Sequence, residues 1–333
     1  SNLRIIDEAF EYLIPDVAKS KKGQYFTPRP IIDFCVRMIN PSSKEYLIDP
    51  ACGSAGFLVH TMEYVWKKHK MVNEKSRISY ASKYLWGIDF DEKSAKISRA
   101  IMLIAGDGKT HIFKQNSLEH SKWTPEITVE LKKEGLISDD SNKNLKFNIV
   151  MSNPPFAGDI QEKSLINNYS EILGYRYTYK IDTARIKEMI TSIEQEFNAS
   201  FSEEGILSII EKIKEINKDD ELDLEVEDDQ HFACQNISQI MVDNLIEGEI
   251  YQQQLIPRLK EIINYKKNES KWDKVERHIL FIERVIDLLV DGGRAVIVLP
   301  QGIFNNSNEK YVRKYITKKA RILAVIGLHG NSF

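Results

Sequence analysis

The chain has 333 residues, 42% hydrophobic and 29% charged, enough to bury a substantial core in one large or two moderate domains. No apolar run approaches the roughly 20 residues of a membrane span, and no signal peptide is visible. The cysteines, Cys35, Cys52 and Cys234, are odd in number and far apart, which reads as a reduced, cytoplasmic protein without a zinc site. The start, Ser1-Asn2 with no initiator Met, reads as a cleavage scar on an excised fragment.

The formal net charge of −3 is unevenly spread. Residues 157–275 hold 25 acidic and 14 basic side chains, a net of −11, while the remainder carries +8. A basic body suits phosphates, and an acidic insertion would repel them unless turned elsewhere.

In chain order, residues 1–44 read as an N-terminal helical segment. From 45 to 156, short β-rich runs alternate with helical ones. Strands are expected at 45–51, 84–90, 111–115 and 147–151, with helices over 57–69 and from Asp91 to Ala105, where Gly106 ends the second. Residues 157–275 break the rhythm as a helical acidic insertion, with helices expected at 182–197, 202–217 and 238–266. Its stretch 219–229 holds eight acidic residues in eleven and reads as a solvated loop. The alternation resumes over 276–333. There an amphipathic helix spans 273–289, with Asp273 as its cap, Glu276 reaching back and Gly292-Gly293 after its end. Strands follow at 294–299 and 321–328 around a helix at 308–319. Strands alternating with helices predict an α/β fold with a doubly wound, mostly parallel sheet.

Four stretches carry chemistry. Asn153-Pro154-Pro155-Phe156 follows the apolar run 147–151. Proline cannot feed a central sheet, so the strand must stop there and face a crevice. The corner presents one carboxamide, free carbonyls and one aromatic face, which suits gripping a flat base by its amino edge. Taken as structure alone, Pro-Pro marks only a strand exit. Asp49-Pro50-Ala51-Cys52-Gly53-Ser54-Ala55-Gly56-Phe57 follows the first strand and opens a helix, whose free N–H groups suit a carboxylate. Its spacing matches neither the Walker type nor the dinucleotide fingerprint.

Asp89, ending the second strand, can accept from both hydroxyls of a ribose; as structure it would cap a helix, although Asp91 is better placed for that. Asn116 and Ser117, after the third strand, suit the edge of an adenine ring or form an ordinary turn. In Gly23-Gln24-Tyr25-Phe26-Thr27-Pro28-Arg29-Pro30, Thr27 either caps the next helix with Pro28 at its first position or holds a ligand carboxylate, with Phe26 covering a ring.

With GQYFTPRP, DPACGSAGFL, GIDFD and NPPF in this order, followed by HILFIERVIDLLVDGGRAVIVLPQGIFNNSNEKYVRKYI, the chain closely resembles the adenine-N6 DNA methyltransferases, and specifically the modification subunits of type I restriction-modification systems. The resemblance covers about 1–156 and 274–333. It implies a Rossmann-like, class I S-adenosylmethionine-dependent fold with no metal. Gln24, Tyr25, Phe26, Thr27, Pro28 and Arg29 are then expected to line the S-adenosylmethionine site. In the loop from Asp49 through Ala51, Cys52, Gly53 and Phe57, the segment Ser54, Ala55 and Gly56 approaches the methionine part. Asp89 takes the ribose, and Asn116 and Ser117 the adenine, Asn116 standing where relatives often place an Asp.

Asn153 and the Pro154 carbonyl would hold the target amine, Pro155 would stiffen the corner, and Phe156 would stack on an adenine flipped out of duplex DNA. The implied partners are double-stranded DNA, a specificity subunit and a nuclease-translocase restriction subunit. A single-chain enzyme with fused nuclease and recognition parts, an RNA or protein-glutamine substrate, and a non-catalytic scaffold are the competing readings. The resemblance also predicts that the sequence stops before the last strand of the sheet.

Overall fold

The computed structural model describes residues 27–106, 111–137, 143–173, 177–181, 187–192, 195, 207, 263–267 and 274–329. Contacts divide the chain into two compact units, one of Ser1–Ile172 with Trp272–Phe333 and one of Leu173–Lys271. Within the first unit, helix α1 (Arg29–Ile39) precedes strand β1 (Leu47–Asp49), and α2 (Gly56–Lys68) and α3 (Glu74–Tyr84) lead to β2 (Leu85–Asp89). Then come α4 (Glu92–Ala105), β3 (His111–Lys114), α5 (Pro125–Lys133) and β4 (Phe147–Ser152).

Short β5 (Asp159–Ile160) and helices α6 (Lys163–Asn167) and α7 (Ser170–Leu173) follow. The second unit contributes β6 (Tyr177–Ile181) and β7 (Ile263–Lys267), which pair with each other antiparallel. The chain returns through β8 (Val275–Glu276), α8 (Arg277–Asp287), β9 (Leu289–Ile297), α9 (Gly302–Asn305) and α10 (Lys310–Lys319).

The main sheet has the order β3-β2-β1-β4-β9, and every ladder in it is parallel. Side chains alternate across a strand, and here the alternation builds two cores. Leu47, Ile149 and Met151 join Val36, Met62 and Ile101 of α1, α2 and α4 on one face. Ile48, Trp86 and Val150 join Ile127, Leu131 and Val285 of α5 and α8 on the other. Helices on both faces of a parallel sheet give a doubly wound, Rossmann-like α/β fold. Gly87 in β2 is closely packed, because a Cβ there would stand 2.6 Å from Ile112 Cδ1 and 3.0 Å from Leu58 Cδ1 and would push those side chains aside.

Several expectations need correction. Residues 321–328 form no strand: they are unpaired, with Leu323 77% exposed. A β-rich sequence becomes a strand only where a neighbour supplies its ladder, and β9 is paired to β4 alone. The helix expected from 273 starts at Arg277, because Val275–Glu276 pairs with Asp159–Ile160 instead. Glu276 is its N-cap and makes no side-chain cap bond; Asp273 lies outside the described residues. β9 begins at Leu289 rather than Arg294, and Gly292, at φ +76°, accommodates the irregular register between Phe147↔Leu289 and Ile149↔Arg294.

The end of the helix expected over 238–266 is strand β7. Residues 187–192 are helical within the expected 182–197. Of the helix expected over 202–217, only residue 207 is described, and the acidic stretch 219–229 and Cys234 lie outside the described residues. No helix among the described residues is long and apolar enough to cross a membrane.

Candidate active site

Parallel strands deliver their carboxyl ends to one edge. β1 and β4 are neighbours there, so the segments leaving Asp49 and Ser152 flank one crevice, at the point where the strand order reverses. The two strand ends are bonded directly. Ser152 donates through Oγ to Asp49 Oδ1 at 2.9 Å, and the Ala51 N–H donates to the same oxygen at 3.0 Å.

The loop after β1 turns sharply. Gly53 has φ +54° and Ala55 φ +67°, and the Cys52 N–H reaches the Ile88 carbonyl at 2.9 Å, tying the turn to β2. A Cβ on Gly56 would lie 2.8 Å from Ile32 Cδ1, so a side chain there would have to displace the tip of Ile32 on α1. A Cβ on Gly53 would meet nothing within 4 Å. No side chain caps α2, leaving its first-turn N–H groups open beside Ser54 and Phe57. The resulting cleft is open to solvent and is lined by Thr27, Ile32, Asp49, Ala51, Cys52, Gly53, Ser54, Gly56, Phe57 and Asn153.

Two carboxyls are buried around this loop. Asp89 Oδ2 accepts from the Gly53 N–H and Oδ1 from the Asp91 N–H, each at 2.8 Å. Asp91, not Asp89, caps α4, accepting from the Ser94 N–H at 2.8 Å. Burial pushes the Asp49 carboxyl up to about 7, and the nearby Asp89 charge adds to the shift. Burial raises Asp89 to about 6. Low-dielectric surroundings disfavour the charged form of each.

Thr27 does not cap α1. Pro28 occupies the N-cap position, Arg29 begins the helix, and no side-chain cap bond forms. The Thr27 hydroxyl instead accepts from Asn153 Nδ2 at 2.9 Å. Among the described residues nothing donates to Asn153 Oδ1, so the amide is oriented with its oxygen available. Pro154 is buried, and Pro155 and Phe156 are partly so. The Phe156 ring meets His278 edge-on, with centroids 6.5 Å apart at 83°.

The structure thus brings together Thr27, Asp49, Ala51, Cys52, Gly53, Ser54, Gly56, Phe57 and Asn153 in one cleft, and bonds Asp89 to its loop. Pro28, Arg29 and Ala55, at the starts of α1 and α2, do not line it, and Asn116 and Ser117 also stand apart. Asn116 is spent on its own turn, donating to Glu119 Oε2 at 2.7 Å and accepting from the Leu118 N–H at 3.1 Å. Ser117 Oγ donates to the Pro50 carbonyl, buttressing the loop from behind. Gln24, Tyr25 and Phe26 lie outside the described residues. Sequence reasoning missed Ser152 and His278. Ser152 had a signal, as a hydroxyl at the end of an apolar strand, whereas His278 had none.

The parallel sheet and its crevice at the strand-order reversal define a Rossmann-like α/β protein. The chain belongs to the N-6 DNA Methylase family, which matches residues 2–219 and 213–333. Over 146 residues it is 31% identical to the type I restriction enzyme EcoKI methylase subunit of Escherichia coli K12, an alignment covering 42% of this chain and 24% of that one. It is 29% identical over 96 residues to the type II restriction enzyme and methyltransferase RM.BcgI of Heyndrickxia coagulans, covering 29% of this chain and 15% of that one.

The chain thus spans about a quarter of the length of the curated type I relatives it matches. Among solved structures, the EcoKI M protein superposes with TM-score 0.31 at 25% identity, over 41% of this chain and 26% of that one. A modification subunit of a putative type I restriction enzyme from Vibrio vulnificus YJ016 superposes with TM-score 0.38 at 23% identity, over 51% and 31%. These superpositions are loose, and the fold assignment stands on the sheet order.

Proposed function

We propose that this chain is the catalytic part of an adenine-specific DNA methyltransferase, the modification subunit of a type I restriction-modification complex, acting on the N6 amine of an adenine flipped out of the duplex. The observation that carries this reading is the Thr27–Asn153 bond. It holds the Asn153 carboxamide with one N–H engaged and its oxygen left to accept, in the cleft that the glycine-rich loop lines.

The exocyclic amine of adenine is a poor nucleophile because its lone pair is delocalised into the ring. Asn153 Oδ1 and the Pro154 carbonyl would each accept one of its N–H bonds and draw the nitrogen towards tetrahedral geometry. Such contacts strengthen as the reaction proceeds, so they raise the rate more than they raise affinity. Phe156, its ring braced edge-on by His278, would stack on the extruded base. That contact returns about 1–3 kcal/mol, against the few kcal/mol that extrusion costs.

S-adenosylmethionine is the methyl donor that this reading requires, and the residues present fit it. The open space at Gly53 and the uncapped first turn of α2 suit its carboxylate end. The carboxyls of Asp49 and Asp89, both raised by burial, suit a ligand carrying positive charge, which would favour their ionised forms. Asp89 would reach the ribose with lone pairs not used by Gly53 and Asp91.

On this reading residues 157–275 are an insertion in the methyltransferase domain, and DNA sequence choice belongs to a specificity subunit, with a restriction subunit completing the complex. The test is methyl transfer by the full-length protein, assembled with its specificity partner, to duplex DNA, RNA and protein offered together. N6-methyladenine in DNA is the expected product. Methylated RNA, methylated glutamine or no transfer would overturn the proposal.

A further inference from the structure

The chain leaving Phe156 is clamped at once. Asp159 and Ile160 pair antiparallel with Glu276 and Val275, and the Arg277 N–H donates to the Gly158 carbonyl at 3.3 Å. Gly158 has φ +98°. The Arg277 guanidinium lies over it, with Cζ, Nε and Nη2 at 3.4, 3.5 and 3.6 Å from where a Cβ would stand. The next residue, His278, holds the Phe156 ring edge-on. Consecutive side chains at the start of α8 therefore rest on alternate residues of the segment that carries the base-stacking ring.

The charges on this clamp are unequal. Asp159 is paired with Lys274 at 3.2 Å, and the Glu276 carboxylate lies 3.3 Å from His278 Nε2. Arg277 is half-exposed, and among the described residues its guanidinium has no ion pair or hydrogen bond. Its place is also unfavourable for the helix. A cation in the first turn opposes the helix dipole, and α8 has no acidic residue in that turn, while the carboxylate of the N-cap Glu276 lies against His278. Helix stability therefore does not account for arginine at this position.

We propose that Arg277 is a phosphate-binding residue that grips the DNA backbone at the nucleotide whose base enters the Asn153–Phe156 corner. The proposal rests on the reading that the substrate is DNA. A base leaves the stack by rotation of its sugar-phosphate backbone, so a phosphodiester must pass the rim of the pocket that receives it. The planar guanidinium fork matches two phosphate oxygens, and packing against Gly158 restricts the side chain before DNA arrives. Contacts of this kind position the strand without reading its sequence.

The test uses the full-length subunit assembled with its specificity partner. DNA binding is titrated against salt for wild type, Arg277→Met, which keeps the apolar stem over Gly158, and Arg277→Lys, which keeps the charge without the fork. Arg277→Met is expected to weaken specific and non-specific DNA alike and to reduce the log–log salt slope by about 1. Arg277→Lys should recover the slope but not the full affinity, and S-adenosylmethionine binding should stay as in wild type.

An unchanged slope in a folded Arg277→Met complex overturns the assignment. So does a lowered melting temperature with unchanged DNA affinity, which would make Arg277 a structural clamp. Should Arg277→Met fail to assemble, Arg277→Lys with wild-type affinity overturns it equally. If the wild-type complex methylates adenine in DNA, such results dispose of the Arg277 proposal alone. If it methylates no DNA, the functional reading falls first.

Discussion

Asn153 and Thr27 are 126 residues apart in sequence and 2.9 Å apart in space, joined by a hydrogen bond from Nδ2 to Oγ1. The bond links the strand exit that would hold the target amine to the segment that opens α1 beside the glycine-rich loop. A carboxamide can present either end to a ligand; with Nδ2 donating to the Thr27 hydroxyl, the oxygen is the end left to accept. On the proposed reading Thr27 acts on the chemistry through Asn153, as a positioning residue.

Thr27→Val keeps the shape and removes that acceptor. A typical hydrogen bond contributes about 0.5–1.5 kcal/mol, so kcat should fall by roughly 3- to 10-fold. KM for S-adenosylmethionine should change less. Steady-state kinetics on the assembled enzyme would show this, and an unchanged kcat would mean that Asn153 needs no orienting partner.

The buried carboxyls predict a pH dependence whose sign can be worked out. The folded-state value of Asp49 is raised to about 7, against an unfolded value of about 3.9. Between roughly pH 4 and 7 the folded protein therefore binds more protons than the unfolded chain, and stability falls as pH rises through that window. Asp89, raised to about 6, adds the same trend over a narrower range. A positively charged cofactor reverses the preference, because it favours the ionised carboxylates. S-adenosylmethionine should bind more tightly from pH 5.5 to about 7.5, with protons released near pH 6. Calorimetry in buffers of different ionisation enthalpy would detect the release. Affinity that does not respond to pH would separate these carboxyls from the cofactor.

Asp89→Ala removes the acceptor for both the Gly53 and Asp91 N–H groups. Hydrogen bonds to a charged group are worth about 1.5–3 kcal/mol, so the cofactor dissociation constant should rise roughly 10- to 100-fold while the sheet stays folded. Isothermal titration of the variant against wild type would decide this, and equal affinities would reduce Asp89 to a structural tie.

Gly87→Ala tests the packing behind the loop. The added methyl would overlap Ile112 Cδ1 at 2.6 Å and crowd Cys52 Sγ at 3.2 Å. Overpacking of this kind costs about 1–3 kcal/mol, visible as a lower denaturation midpoint with an unchanged slope. Wild-type stability would mean that the first core can yield at this point.

Much of the fold was legible because its signals are local. β2 is an apolar run, Asp91 caps the helix that follows, and Gly106 ends it at φ +96°. Helix α3 carried a weak signal, since only Tyr80 and Ala81 of its residues are buried. α5 likewise buries just Ile127 and Leu131. Residues 321–328 carry the composition of a strand, but composition cannot supply the neighbouring ladder that a strand requires. The same distinction runs through the site. The glycine turn and the proline corner announce themselves over a few residues. The Thr27–Asn153, Ser152–Asp49 and Phe156–His278 contacts join distant parts of the chain, and only the folded sheet brings them together. Asn116 shows the reverse: its position after β3 suited a ligand, yet its amide also bonds Glu119 and Leu118 within its own turn.

The central claim is that the Asn153 carboxamide accepts from the target amine. Its most direct test is Asn153→Ala in the assembled enzyme, with single-turnover methyl transfer to duplex DNA and S-adenosylmethionine affinity measured on the same preparation. Losing a key polar contact made in the transition state is expected to cost about 10²-fold or more in rate, with cofactor affinity little changed. A variant that retains more than about a tenth of the wild-type rate, well above that expected loss, would contradict the account.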